Sequence, residues 1–251
     1  MSCTPKGSPI RRTVEELRIL LRSIPSTVVT LFVVSVISMN LLANKTLLQL
    51  DFIALDAGIL ISWLSFMCMD VITKHFGPRA STLISVNAAL INLLTCLIFY
   101  IASILPSNAG SFAAFDGIFG GTWFILLSST IAFLLSAGIN NGLNALVGRL
   151  FKQNPHGRVA YMTRAYVSTL VSQFFDNLIF SLLVFRLFAP IFWNGFSWTV
   201  LQCTTCALVG ALAELLMEAI FSPIGYRICR SWQESGVGNA YFQFIGKETD
   251  V

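Results

Sequence analysis

The chain has 251 residues, of which 55% are hydrophobic and 11% charged, with a net charge of +4 and a mean hydropathy of +0.76. Soluble domains carry about 25% charged residues, so this composition excludes an ordinary soluble fold and leaves room for one membrane domain. Its basic residues are spread over loops, with no basic run interleaved with aromatics, which excludes a nucleic-acid binder.

Residues 1–25 form a cytoplasmic N-terminal segment. Within it Ile10, Val14, Leu17, Leu21 and Ile24 recur at alternating four- and three-residue steps, while Arg11, Arg12, Arg18 and Arg22 fall mostly elsewhere. That pattern predicts an amphipathic helix lying on the membrane surface. Six apolar spans follow, at about 26–43, 52–70, 81–105, 122–146, 165–187 and 198–221, each long enough to cross a bilayer. Together they make a transmembrane domain over residues 26–230, followed by a cytoplasmic tail over 231–251. The first span lacks an A-x-A-like cleavage site and reads as a retained span rather than a signal peptide. With the N-terminus inside, the inner segments hold fourteen Lys and Arg residues and the outer side only Lys45 and Arg186. The positive-inside rule therefore puts both termini in the cytoplasm. The expected fold is an all-α integral membrane protein with six transmembrane helices.

Cys203-Thr-Thr-Cys206 lies in an apolar helix with no second pair and no nearby His, so both cysteines read as small buried hydrophobes. Trp123, Trp193 and Trp198 sit at span ends, as an interfacial belt requires. Trp63 falls inside the second span with Phe66 and Asp70 on roughly the same face. It can either stack on a flat ligand or pack between helices. Asn40 with Asn44 ends the first span and Asn140 with Asn144 ends the fourth, an echo that inverted three-helix repeats would produce.

Polar residues inside the spans are the functional candidates. They are Asn40, Asn44 and Lys45; Asp70; Asn140, Asn141 and Asn144; Gln173, Asp176 and Asn177; and Glu214 with Glu218 one turn later. A neutral amide often bonds a neighbouring helix. Asp70, Glu214 and Glu218 lie toward the cytoplasmic ends, where they can equally pair with Arg79, Arg164 or Arg227. Asp176 stands out: it sits at the centre of the 21 residues between Arg164 and Arg186, with no base within two turns on its own span. A carboxylate there costs about 2.5–3.5 kcal/mol to insert, so it must face protein or water, and it marks a ligand site or a proton relay. No HExxH, metal-ligand spacing or Gly-rich phosphate loop is present. The expectation is a protein that is not an enzyme and needs no cofactor or metal.

Four segments occur in order: Asn40-Leu-Leu-Ala-Asn-Lys45; Asp70-Val-Ile-Thr-Lys-His-Phe-Gly77; Arg164-x-x-Val-Ser-Thr-x-x-Ser-Gln-x-x-Asp-Asn-x-x-Phe180; and Glu218-Ala-x-x-x-Pro223-x-x-Tyr226. They resemble the queuosine precursor transporter family, also called the vitamin uptake transporter family, over about residues 26–230. The resemblance implies a six-helix importer in the bacterial plasma membrane, resembling the substrate-binding membrane subunits of energy-coupling-factor transporters but acting without their ATPase. It implies a nucleobase-like substrate, a 7-deazaguanine such as the cyano or aminomethyl precursor or queuine. Asp176 or Glu218 would accept the N–H pair, Gln173 or Asn44 would meet the carbonyl edge, and Trp63 or Phe66 would cover the ring. The pattern departs at Lys74, where the family often has Glu. A vitamin-binding subunit that needs a separate ATPase module and a membrane-embedded enzyme stand as alternatives, and homo-oligomerisation stays open.

Overall fold

The computed structural model describes residues 9–106, 113–150 and 158–246. Among these, five helices are long and apolar enough to cross a membrane, and α2 adds a sixth when taken with the helix before it. The chain is therefore a multi-pass membrane protein.

Helix α1 (Pro9–Ser23) meets α2 (Ser26–Leu42) at 110°, because Pro25 lacks the N–H that would carry one helix into the next. At 17 residues, α2 is about 26 Å long, at the short limit for a span. On α1 the apolar stripe divides: Leu20 and Ile24 are buried against the bundle, while Ile10 and Val14 stay exposed, 76% and 61%. Those exposed side chains suit a helix resting at a lipid interface.

The expected second span begins at residue 52, but in the structure residues 46–56 form a hairpin. Strand β1 (Thr46–Gln49) pairs antiparallel with β2 (Ala54–Asp56), with Thr46 opposite Asp56 and a bulge before Leu48. The hairpin is tied to the last long helix: Gln202 Nε2 donates to the Leu50 carbonyl at 2.6 Å and Thr205 Oγ1 to that of Phe52 at 2.7 Å. Span α3 (Ile59–Phe76) follows. Gly77, at φ 93°, turns the corner in a conformation that favours glycine, and Pro78 opens α4 (Pro78–Ile104) where a missing N–H costs nothing.

Helix α5 (Ala113–Leu150) packs against α6 (Arg158–Ser181). The fifth span then continues through a π-helical turn, Leu182–Phe188, into α7 (Ala189–Phe192). The Phe185 carbonyl accepts from the Trp198 backbone N–H at 3.1 Å, and the two rings stack at 3.8 Å. Helix α8 (Val200–Glu234) starts with a Thr199–Gln202 capping box. It runs beyond the bilayer span, with Pro223 removing one helical bond. Short α9 (Asn239–Ile245) packs back on α1.

Two apolar clusters close the ends of the bundle. One, at the α1/α9 end, gathers Leu20, Phe32, Ile72, Phe76, Ile84, Trp232 and Tyr241. The other, at the hairpin end, gathers Ala54, Phe124, Phe185, Trp198 and Cys203. Helix α4 shows how the middle stays polar. Its buried residues are Ala80, Ser81, Ile84, Ser85, Ala88, Asn92 and Cys96, three of them Ser or Asn, while Leu90, Leu93, Leu94 and Leu97 point out at more than half exposure. Lipid takes the apolar face, so the polar one turns inward.

The α1/α9 end carries its own ion pair. Glu16 is 1% exposed and accepts from Arg79 at 2.7 Å and from the Tyr241 hydroxyl at 3.3 Å. Burial, and then the neighbouring Glu16 charge, push the Tyr241 phenol up to about 12.

Candidate functional site

Between the two apolar clusters lies a cavity of about 220 Å³. Its wall comes from α2, α3, α4, α5 and α6, and it runs from Ser136 and Asp176 toward Thr73, Pro78 and Thr82 at the α3–α4 corner. Nine of its 21 described lining residues are Ser or Thr. Several of these hydroxyls donate to carbonyls of their own helix, as Thr73 does to Met69 at 2.8 Å, Thr82 to Pro78 at 2.9 Å and Thr130 to Leu126 at 2.9 Å. A hydroxyl whose proton is so committed presents lone pairs, not a donor, to the space beside it. The wall is therefore rich in acceptors.

Among the described residues Asp176 is the one ionisable side chain in that wall. Ser136, on the facing helix α5, donates to its Oδ1 at 2.7 Å, which fixes the carboxyl's direction. Gln173, 7% exposed, lies one turn away and lines the same cavity. Asn92, 5% exposed, faces it from α4. Phe32, Phe66 and Phe133 supply flat apolar surface.

A second chamber of about 70 Å³ adjoins the first on the hairpin side and shares Met39, Phe66, Ser129 and Asp176 with it. Asn40, Asp56, Asn177 and Glu214 complete its polar wall. Asp56, just outside the spans, accepts from the Gly58 N–H at 2.7 Å. Burial pushes its carboxyl up to about 6, against the lowering effect of that bond. Gly58 has no room for a side chain: a Cβ there would stand 2.8 Å from Asp56 Oδ1 and 2.9 Å from the Met39 carbonyl.

The residues singled out from sequence thus separate. Gln173, Asp176 and Phe66 line the main cavity, while Asn40, Asn177 and Glu214 join Asp176 and Phe66 in the small one. Asn44 bonds Leu41 at 3.0 Å and Thr122 at 3.5 Å, outside both walls. Lys45 is exposed and its carbonyl accepts from Ala57 at the base of the hairpin. Trp63 stacks on Phe221 at 4.6 Å, the interhelical packing alternative, and lines neither cavity. The side chains of Asp70, Glu218, Asn140, Asn141 and Asn144 lie outside the described residues. Cys203 and Cys206 are buried free thiols.

Asp56, Ser136 and Asn92 are among the wall residues that escape the sequence reading. Asp56 is hidden in a stretch that reads as span, and Ser136 has no local signal at all. Asn92 had one: it extends the Ser81/Ser85 stripe by seven residues, two turns along the same face.

No curated protein and no solved structure matches the chain. A family profile described as "Putative vitamin uptake transporter" matches residues 56–228, which takes in α3 to α7, most of α8 and every described wall residue contributed by α3, α4, α5, α6 and α8. With a multi-pass bundle around a polar central cavity, the chain belongs to the vitamin uptake transporter family.

Proposed function

We propose that the protein imports a 7-deazaguanine precursor of queuosine across the bacterial plasma membrane, without an ATPase of its own. The observation that carries this reading is the oriented Asp176 carboxylate in an acceptor-rich cavity. A deazaguanine presents a ring N–H and an exocyclic amine side by side, and a carboxylate accepts both at once. Gln173 meets the carbonyl edge, and Phe66 covers a ring face. With the α1/α9 end cytoplasmic, as the distribution of Lys and Arg favours, the main cavity extends inward and the hairpin lies on the outer side. The described conformation then faces the cytoplasm.

Uptake of radiolabelled 7-cyano-7-deazaguanine tests this, in cells that cannot make the compound and lack any energy-coupling ATPase module. The chain expressed alone supports accumulation, and Asp176→Asn abolishes it at equal expression. No uptake by the wild-type chain, or normal uptake by the variant, would overturn the reading.

A further inference from the structure

The small chamber has a feature that substrate binding leaves unused. Glu214, on α8, is 6% exposed, and its Oε2 is fully enclosed without a hydrogen-bond partner. The Asn177 Nδ2, on α6, lies against Gly210, one turn before Glu214 on α8, and is likewise enclosed without a hydrogen-bond partner. Both side chains form the wall of the 70 Å³ space. The groups facing Glu214 there are Asp176 from α6, Asp56 from β2, the neutral Ser62 from α3 and Asn40 from α2, and the Cys206 thiol on its own helix. Among the described residues no Lys, Arg or His lines it.

Among the described residues, three carboxyl groups thus share one chamber with no cation in its wall. A buried carboxylate is tolerated only when paired or neutralised, and like charges around it make the demand stronger. The positive charge must therefore come from solution. The chamber has about a third of the main cavity's volume, 70 Å³ against 220 Å³, and the two share Asp176 in their walls.

We infer that Glu214 is the site of a transported proton, and that Asp176, common to both chambers, links it to substrate in the main cavity. The inference rests on the transporter reading above. In the outward state the Glu214 carboxylate takes a proton from hydronium on the hairpin side, leaving a neutral carboxyl and water. The neutral chamber leaves Asp176 free to hold the substrate's N–H groups. When substrate departs toward the α1/α9 end, Glu214 gives the proton to the Asp176 carboxylate, which releases it to water on that side. One proton enters with each cycle and no other group changes its charge.

The test uses the full chain in proteoliposomes, with 7-cyano-7-deazaguanine, itself uncharged, as probe. Exchange of labelled for unlabelled probe needs no gradient, whereas net uptake does. Wild type shows both, and an acid-outside pH gradient raises net uptake several-fold while a sodium gradient does not. Glu214→Gln, equal in size, keeps exchange and loses the stimulation. Uptake driven by sodium alone, or full pH stimulation in Glu214→Gln, would overturn the assignment. Infrared spectra of the purified protein give a readout that needs no substrate. The carbonyl band of a protonated carboxyl is present in wild type and lost in Glu214→Gln, and a band unchanged by the substitution would overturn the proton site. No exchange by the wild type, with that band present and lost in Glu214→Gln, would refute the substrate reading and leave the proton site standing.

Discussion

Ser136 and Asp176 are 40 residues apart in the chain, yet the serine hydroxyl donates to the aspartate at 2.7 Å across the α5–α6 interface. The bond joins the wall of the main cavity to the one ionisable side chain among its described residues. A hydrogen bond to a charged group is worth about 1.5–3 kcal/mol. Ser136→Ala frees the carboxyl to rotate and weakens substrate affinity by about tenfold. Ser136→Thr, which retains the hydroxyl, restores most of it. Binding isotherms of the two variants check this, and equal affinity in Ser136→Ala would detach the bond from ligand recognition.

Gly58 sits where the hairpin meets α2 and α3. A methyl group there would approach the Met39 carbonyl to 2.9 Å, and that backbone atom cannot swing aside. Gly58→Ala therefore costs about 1–3 kcal/mol, the usual penalty of overpacking, and loosens the hairpin over the small chamber. Thermal unfolding in detergent measures it. At Gly210 the clash is with the Asn177 amide, 2.8 Å from the Cβ. Gly210→Ala is accommodated by pushing that amide into the small chamber, with a smaller loss of stability.

Asp56 sets a pH dependence. Its folded-state carboxyl titrates near 6 instead of near 3.8, so between those values the folded chain holds a proton that the unfolded chain has released. Stability is then fully present below about pH 4 and falls as pH rises toward 6, by at most about 3 kcal/mol. Asp56→Asn keeps an acceptor for the Gly58 N–H and flattens this part of the profile. Melting temperatures of both proteins from pH 4 to pH 7 decide it, and superimposable profiles would contradict the assignment.

Arg79 reaches from an exposed position to the buried Glu16 carboxylate. Arg79→Ala removes that carboxylate's 2.7 Å ion pair and leaves the weaker bond from the Tyr241 hydroxyl, at a cost of about 1–3 kcal/mol given that the Arg side chain is solvated. Helices α1 and α9 part more readily, so limited proteolysis cuts the C-terminal segment faster than in wild type. Unchanged cleavage would show that their apolar contacts suffice.

The sequence makes the spans legible because lipid demands continuous apolar stretches of fixed length. It makes Asp176 legible because a lone acid mid-span has few structural explanations. The hairpin is not legible, since Thr46–Gln49 reads as a connection and Phe52–Leu55 is apolar enough to merge with the following span, and what makes them strands is pairing with each other and with Gln202 and Thr205. Trp63 and Asn44 look alike to Phe66 and Asn40 in sequence. Only the rotation of α2 and α3 within the bundle decides which of them reach a cavity. Ser136 belongs to neither category: a serine in an apolar helix acquires meaning only from what the facing helix places opposite it.

The most direct test of the central claim is thermal stabilisation of the purified protein by 7-deazaguanines, with guanine, biotin and riboflavin as comparisons. A ligand that binds only the folded state adds RT ln(1 + [L]/Kd), about 2.7 kcal/mol at a hundredfold excess. The account predicts a rise in melting temperature with a deazaguanine and none with biotin or riboflavin, and loss of that rise in Asp176→Asn. Stabilisation by a vitamin instead, or a deazaguanine shift that survives in Asp176→Asn, would contradict it.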